Sequence, residues 1–136
     1  MKEKPFYNLT LQLFKCVELH DFDTLANLCD DDYGIVDLNE EGKNMIIRDR
    51  AGWEEWFRTL FVKLDHMKAN TWTEVTNYEA VQEDNMGYSV VDFDQLLEVD
   101  NKKMRFSCIV TIIWKKTPDG WKEARYHSSL IGVKPD

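Results

Sequence analysis

Several features that mark familiar classes of protein are missing from this sequence. It contains no HExxH, no GxSxG and no glycine-rich phosphate loop, the usual signatures of zinc peptidases, serine hydrolases and nucleotide-binding enzymes. No apolar run approaches the roughly 20 residues of a membrane span, and the N-terminal segment lacks the apolar stretch of a signal peptide. We therefore expect a cytoplasmic protein that uses no cofactor and no metal and does not bind a membrane.

Cysteine is scarce and irregularly placed. Cys16, Cys29 and Cys108 are odd in number, have no CxxC spacing and lie inside apolar patterns. They are typical of small buried hydrophobic residues, so we predict neither a disulfide framework nor a zinc site.

Basic residues are in the minority. The chain has 17 Lys and Arg against 25 Asp and Glu, a formal net charge of −8. Because proteins that bind phosphate backbones concentrate Lys and Arg on one face, we expect no nucleic-acid partner.

Apolar and aromatic residues, by contrast, are plentiful. Of the 136 residues 43% are hydrophobic and 12% aromatic, and a chain of this length buries one core. No repeat or linker interrupts it, so we predict one domain over residues 1–136.

The first half predicts three helices and a small hairpin. Apolar residues recur at helical spacing in three segments, with Asp21 or Asp23 as a cap of the second and Asp49 as a cap of the third. The helical segments run from Pro5 to Leu19, from Phe22 to Cys29 and from Asp49 to Met67; the hairpin pairs Tyr33–Leu38 with Asn44–Arg48 across a turn at Glu41 and Gly42.

The second half reads as four long strands separated by polar turns. They span Thr71–Gln82, Gly87–Val99, Lys103–Lys115 and Trp121–Val133. Helices followed by consecutive strands favour an α+β domain with an antiparallel sheet.

Turn chemistry predicts which side chains share a face of this sheet. The turn at Asp100 and Asn101 places alternate residues from Val91 to Trp114 on the core side. A three-residue loop at TPDG, pairing Thr117 with Trp121, extends the core face to Ala124, Tyr126, Ser128 and Leu130 and leaves Glu123 and His127 outside. A two-residue turn would reverse this assignment for the last strand.

The outer face mixes Ile109 and Ile113 with Arg, Glu and His side chains. That mixture fits a subunit interface better than solvent exposure, so we predict a homodimer through the outer sheet face.

Two segments, ELHDFDTLANLCDDDYGIVDL and IVTIIWKKTPDGWKEARYHSSL, resemble the nuclear transport factor 2-like superfamily, which includes SnoaL-like cyclases and ketosteroid isomerase. The resemblance implies a cone, in which three helices pack on a strongly curved antiparallel sheet around an internal pocket, and sheet-to-sheet dimers. It also implies that Asp37 stands where the isomerase holds its general base. The phenolic donor of the isomerase is replaced by Leu13, which departs from steroid-type isomerisation.

The candidate site residues follow from this arrangement. Asp37 and Tyr126 are the candidate catalytic base and donor. In the other interpretation, Asp37 is a solvated strand end or a cap within the loop that contains EEG. His127 is a candidate acid or base if it faces the pocket. The three-residue loop predicts instead that His127 faces outward and pairs with Glu123 or Asp94. Candidate ligand contacts are Trp56, Gln95 and Ser128, which in the other interpretation are core residues.

The hypothesis from sequence is a small-molecule pocket protein of the SnoaL-like type that takes a hydrophobic or aromatic ligand. If it is an enzyme, its chemistry is cofactor-independent proton transfer, as in an isomerase, cyclase or dehydratase. The alternative is a non-catalytic dimerising interaction module with a packed cavity.

Overall fold

The computed structural model describes residues 4–38 and 43–136, which form three helices and six strands. Their bounds are α1 Tyr7–Leu19, α2 Phe22–Asn27, β1 Cys29–Leu38, β2 Asn44–Ile47, α3 Arg50–His66, β3 Asn70–Gln82, β4 Met86–Val99, β5 Lys102–Thr117 and β6 Gly120–Pro135. The turn predicted at Glu41 and Gly42 lies outside the described residues.

Aspartate side chains begin two of the helices, as predicted. The Asp21 carboxylate accepts a hydrogen bond from the Thr24 N–H at 3.2 Å, and the Asp49 carboxylate accepts one from the Gly52 N–H at 2.8 Å. Each satisfies a donor that the first turn of a helix leaves unpaired.

The six strands form one mixed sheet in the order β2-β1-β6-β5-β4-β3. The predicted α+β class is confirmed, and every pairing is antiparallel except that of β1 with β6, which run parallel. This parallel pairing joins Ile35 to Tyr126 and Val36 to His127, so it brings the predicted first hairpin beside the last strand.

The turn between β4 and β5 sets the faces of the sheet as predicted. Asp100 and Asn101 have positive φ angles of 53° and 65°, as a two-residue hairpin turn requires, and Val99 pairs with Lys102. Four inward residues of the two strands, Val91, Val110, Ile112 and Trp114, are at 0% exposure.

The turn between β5 and β6 differs from the prediction. Thr117 pairs with Gly120, which makes a two-residue turn, and the register then shifts where Ile113 pairs with Arg125 and Trp114 with Glu123. Ala124 is the extra residue of this β-bulge. Without the bulge, this two-residue turn would place His127 on the inner face. The bulge restores the predicted faces for the residues that follow it. Glu123 comes before the bulge and is buried on the inner face.

The helices pack on the inner face only. Aromatic rings join the layers: Phe14 of α1 lies 4.9 Å from Phe93 of β4, and Trp53 of α3 lies 5.0 Å from Tyr33 of β1. Buried residues of helices and sheet form one apolar cluster, which includes Cys16 and Cys29. In the described part of the chain, no helix is long and apolar enough to cross a membrane.

Candidate ligand cavity

A cavity of about 330 Å³ lies between the helices and the inner face of the sheet. Its volume falls at the lower end of the range of small-molecule sites, about 300–1,000 Å³. The wall is mostly apolar, and its polar members are Tyr33, Asp37, Thr71, Gln95, Cys108, Glu123, Tyr126 and Ser128.

Helix α3 supplies an aromatic wall. Trp53, Trp56 and Phe57 all line the cavity, and neighbouring rings contact one another, with centroids 4.8 Å apart for Trp56 and Phe57. Trp53 is a core residue as well, at 1% exposure, whereas Trp56 is half-buried. The predicted contact residue Trp56 therefore lies at the cavity and packs against the core at once.

Asp37 stands in the cavity wall near the end of β1. Its carboxylate accepts the Leu38 N–H at 2.8 Å, and burial raises its pKa from 3.8 to about 6. Because Val36 pairs with His127, the next residue, Asp37, lies beside Ser128 on β6. The Asp37 carboxyl group is therefore partly shielded from solvent, although it lies near the end of the strand.

Tyr126 lies on the inner face of β6, between Glu123 and Ser128 along the strand. Burial, together with the nearby Asp37 and Glu123 carboxyl groups, holds its pKa well above the usual 10. Tyr126 is therefore a protonated phenol at neutral pH, which can donate a hydrogen bond to a ligand.

The other two predicted ligand contacts are Gln95, whose amide is already hydrogen-bonded within the protein, and Ser128. Gln95 is held by the protein: its Nε2 donates to the carbonyl oxygens of Trp72 at 3.0 Å and Leu96 at 3.2 Å, and its Oε1 accepts from Thr73. Ser128 is buried at 3% exposure and lines the cavity beside Asp37.

Glu123 is the site residue that the sequence prediction missed. Its side chain is 1% exposed and lines the cavity. Its Oε1 accepts hydrogen bonds from the Tyr33 hydroxyl at 2.6 Å and the Cys29 thiol at 3.4 Å, while its Oε2 is buried without a partner. Burial raises the pKa of Glu123 from 4.5 to about 8, and the bonds from Tyr33 and Cys29 only partly oppose this.

The error came from the length of the turn. The predicted three-residue loop placed Glu123 on the outer face with His127, whereas the observed two-residue turn pairs Glu123 with the inner residue Trp114. The register shift at Ala124 then buries a second consecutive residue. The hint in the sequence is Trp121, a large apolar residue that the predicted loop placed on the outer face.

His127 lies on the outer face, as the turn argument expected, and is exposed. It does not line the cavity, so the geometry gives no support to a catalytic His127 there. Its expected pairing with Glu123 is wrong, because Glu123 is on the inner side. Asp94 instead pairs with Arg105 at 2.8 Å.

The part of the cavity wall formed by the described residues carries no cationic side chain. Among the described lining residues none is Lys, Arg or His, and the described residues hold no group of three or more His, Cys, Asp and Glu side chains suited to a metal ion. Its polarity comes from two carboxyl groups with raised pKa values and from phenol, thiol, hydroxyl and amide groups.

This fold and cavity agree with the comparison of the sequence with known families. The chain belongs to the family of SnoaL-like domains, whose model matches residues 8–133. The nuclear transport factor 2-like resemblance is thereby confirmed. Among curated proteins no match is found.

Solved structures share the fold at low sequence identity. The β subunit of benzoate 1,2-dioxygenase from Burkholderia mallei is 11% identical with a TM-score of 0.78, over 96% of this chain and 93% of that one. A type 2 hexachlorocyclohexane dehydrochlorinase is 17% identical with a TM-score of 0.71, over 94% and 83%. A protein of the same superfamily with a cystatin-like fold, from Novosphingobium aromaticivorans, is 13% identical with a TM-score of 0.71, over 91% and 78%.

Proposed function

We propose that this protein binds a hydrophobic or aromatic small molecule in its cavity and catalyses proton transfer on it without a cofactor. The observation that carries the proposal is Asp37, a carboxyl group in the wall of an aromatic cavity whose pKa is raised to about 6. A general base works best when its pKa lies near the operating pH.

In this mechanism the Asp37 carboxylate removes a proton from a carbon made acidic by a neighbouring carbonyl or leaving group. Tyr126 donates its phenolic hydrogen toward the oxygen on which negative charge develops. The phenol that the isomerases carry on the first helix is Leu13 here, and Tyr126 supplies a phenol from β6 instead. Returning the proton to another atom gives isomerisation, and losing a leaving group gives elimination.

The structural neighbours support catalysis by a protein of this fold. One is a hexachlorocyclohexane dehydrochlorinase and another is the β subunit of a benzoate dioxygenase, so the fold occurs in enzymes that act on ring compounds. At 17% identity or less their own substrates do not carry over to this chain. The cavity also counts against the alternative module, in which the space between helices and sheet is packed.

The test is proton exchange followed by NMR. A panel of aromatic and alicyclic ketones is incubated with the protein in deuterated water, and the loss of the protons next to the carbonyl is measured. We expect Asp37→Asn to slow exchange by at least about 100-fold. Asp92→Asn, the same change on the opposite sheet face, should leave it unchanged. Equal rates in Asp37→Asn and wild type would rule out this base.

We further propose a homodimer through the outer sheet face. Tyr88 is 43% exposed there and pairs with Ile113, while Val90 and Ile109 form the rest of an apolar patch around the exposed Thr111. Sedimentation velocity should show a dimer that Thr111→Arg converts to a monomer, whereas Thr59→Arg on an exposed position of α3 should not. A monomeric wild type at micromolar concentration contradicts the proposal.

A further inference from the structure

The two carboxyl oxygens of Glu123 are in unlike surroundings. Oε1 accepts the Tyr33 hydroxyl at 2.6 Å and the Cys29 thiol at 3.4 Å, so its lone pairs are in use. Oε2 has no hydrogen-bond partner, although the atom is buried and the side chain lines the cavity. A buried polar atom without a partner is rare in proteins, and it calls for a partner that the protein itself does not supply.

The position of the proton follows from these bonds. With a pKa of about 8, Glu123 is neutral at pH 7 and carries one hydrogen. Since Oε1 already accepts two donors, the hydrogen belongs on Oε2. Glu123, whose side chain lines the cavity, therefore carries an O–H donor on Oε2, and none of the described residues supplies its acceptor.

The rest of the wall limits which acceptor fits. The described lining residues include no Lys, Arg or His, and the other carboxyl group, Asp37, stands in the same wall. A ligand carboxylate would enter an apolar space that already holds two acids and no countercharge, which costs free energy. An ammonium group has no lone pair with which to accept this hydrogen bond. A carbonyl or ether oxygen accepts it without bringing charge.

We propose that Glu123 anchors an uncharged ligand oxygen in the cavity, so that the protein selects neutral aromatic carbonyl compounds over aromatic acids and amines. This inference rests on the proposed function in one respect, that the cavity binds a small molecule. It adds the ligand class and an anchoring residue distinct from the catalytic base.

The anchor and the base are separated along the cavity wall. Glu123 is 1% exposed, whereas Asp37 is half-buried, so the anchor is deeper. Asp37 lies beside Ser128, five residues beyond Glu123 on β6, which is roughly 15 Å of strand. Tyr126 lies between them. A ligand that Glu123 holds and Asp37 deprotonates thus needs an extended, ring-sized body whose activating group lies at the far end from the anchored oxygen.

The experiment compares four ligands that share one ring system. These are 2-acetonaphthone with a neutral acceptor, 2-naphthoate with an anion, 2-naphthylmethylamine with a cation and 2-ethylnaphthalene with no polar group. Dissociation constants are measured by isothermal titration calorimetry at pH 7. We expect 2-acetonaphthone to bind about tenfold more tightly than each of the other three.

Three further measurements assign the preference to Glu123. Glu123→Leu should weaken 2-acetonaphthone about tenfold and leave 2-ethylnaphthalene unchanged, whereas Glu123→Gln, which keeps an N–H donor, should retain most of the affinity. The carbonyl band of the bound ketone in the infrared should shift to lower frequency in the wild type and not in Glu123→Leu. At about pH 9 the wild type should bind the ketone about tenfold more weakly, because Glu123 has lost its proton, and Glu123→Gln should not change.

The outcomes separate this inference from the proposed function. Tightest binding of the amine or the acid, or an unchanged ketone affinity in a folded Glu123→Leu protein, overturns the inference while the cavity remains a binding site. Binding of none of the four compounds overturns both. A ketone preference that depends on Glu123, without proton exchange that depends on Asp37, overturns only the catalytic role.

Discussion

Replacing Glu123 by glutamine should make this protein more stable than the wild type at alkaline pH and equally stable at acid pH. Glutamine has nearly the same shape, and its Oε1 can accept the same bonds from Tyr33 and Cys29. It differs in having no proton to lose. The pH dependence of the difference between the two proteins therefore reports the burial of this one carboxyl group.

The sign and size follow from its pKa values. Between 4.5 and about 8 the unfolded chain has released the Glu123 proton while the folded protein still holds it, so the free energy of unfolding of the wild type falls as pH rises through this window. At about 1.4 kcal/mol for each pH unit between 4.5 and about 8, the loss reaches about 5 kcal/mol above pH 8. Asp37 adds a similar fall between 3.8 and about 6 in both proteins, and this cancels in the comparison.

The assay is urea unfolding followed by tryptophan fluorescence at a series of values from about pH 4 to about pH 9, for wild type and Glu123→Gln. The difference in the free energy of unfolding should rise from near zero to about 5 kcal/mol, a large share of the roughly 5–15 kcal/mol that stabilises a domain. Parallel curves for the two proteins would refute the assignment of a neutral, buried Glu123.

Two further predictions concern the scaffold. A methyl group at Gly87 would lie 2.6 Å from the Phe6 ring and 2.6 Å from the Val81 carbonyl oxygen, so Gly87→Ala should cost about 1–3 kcal/mol of stability, measured by urea unfolding. Gly132→Ala, where an added Cβ meets nothing within 4 Å, is the matched control, and equal losses in the two would contradict the steric argument. Asp49→Ala should cost about 1 kcal/mol through loss of the helix cap, visible as a lower Tm; an unchanged Tm would show that the cap contributes nothing.

Local patterns predicted most of the scaffold and part of the site. Helical spacing located α1, and helical spacing with a capping aspartate located α2 and α3. The Asp100–Asn101 turn assigned the inner residues of β4 and β5. These signals act within a few residues of one another. Tyr126 and Ser128 lie on the inner face as predicted, although the loop length from which this was predicted is wrong. The loop before them is one residue shorter than predicted, and the bulge at Ala124 compensates.

What the sequence determined by itself is the order of elements and the inner residues of β4 and β5. Those properties come from spacing and composition, which are local. The tertiary structure decided that β1 pairs in parallel with β6, and this pairing sets Asp37 beside Ser128. It also placed the Glu123 side chain on the inner face. The backbone N–H of Glu123 donates to the carbonyl oxygen of Leu28, a residue distant in the sequence, at 2.8 Å. Contacts between residues 90 or more positions apart arise only when the chain folds. The positions of Asp37 and Glu123 in the cavity wall are therefore a product of the tertiary structure.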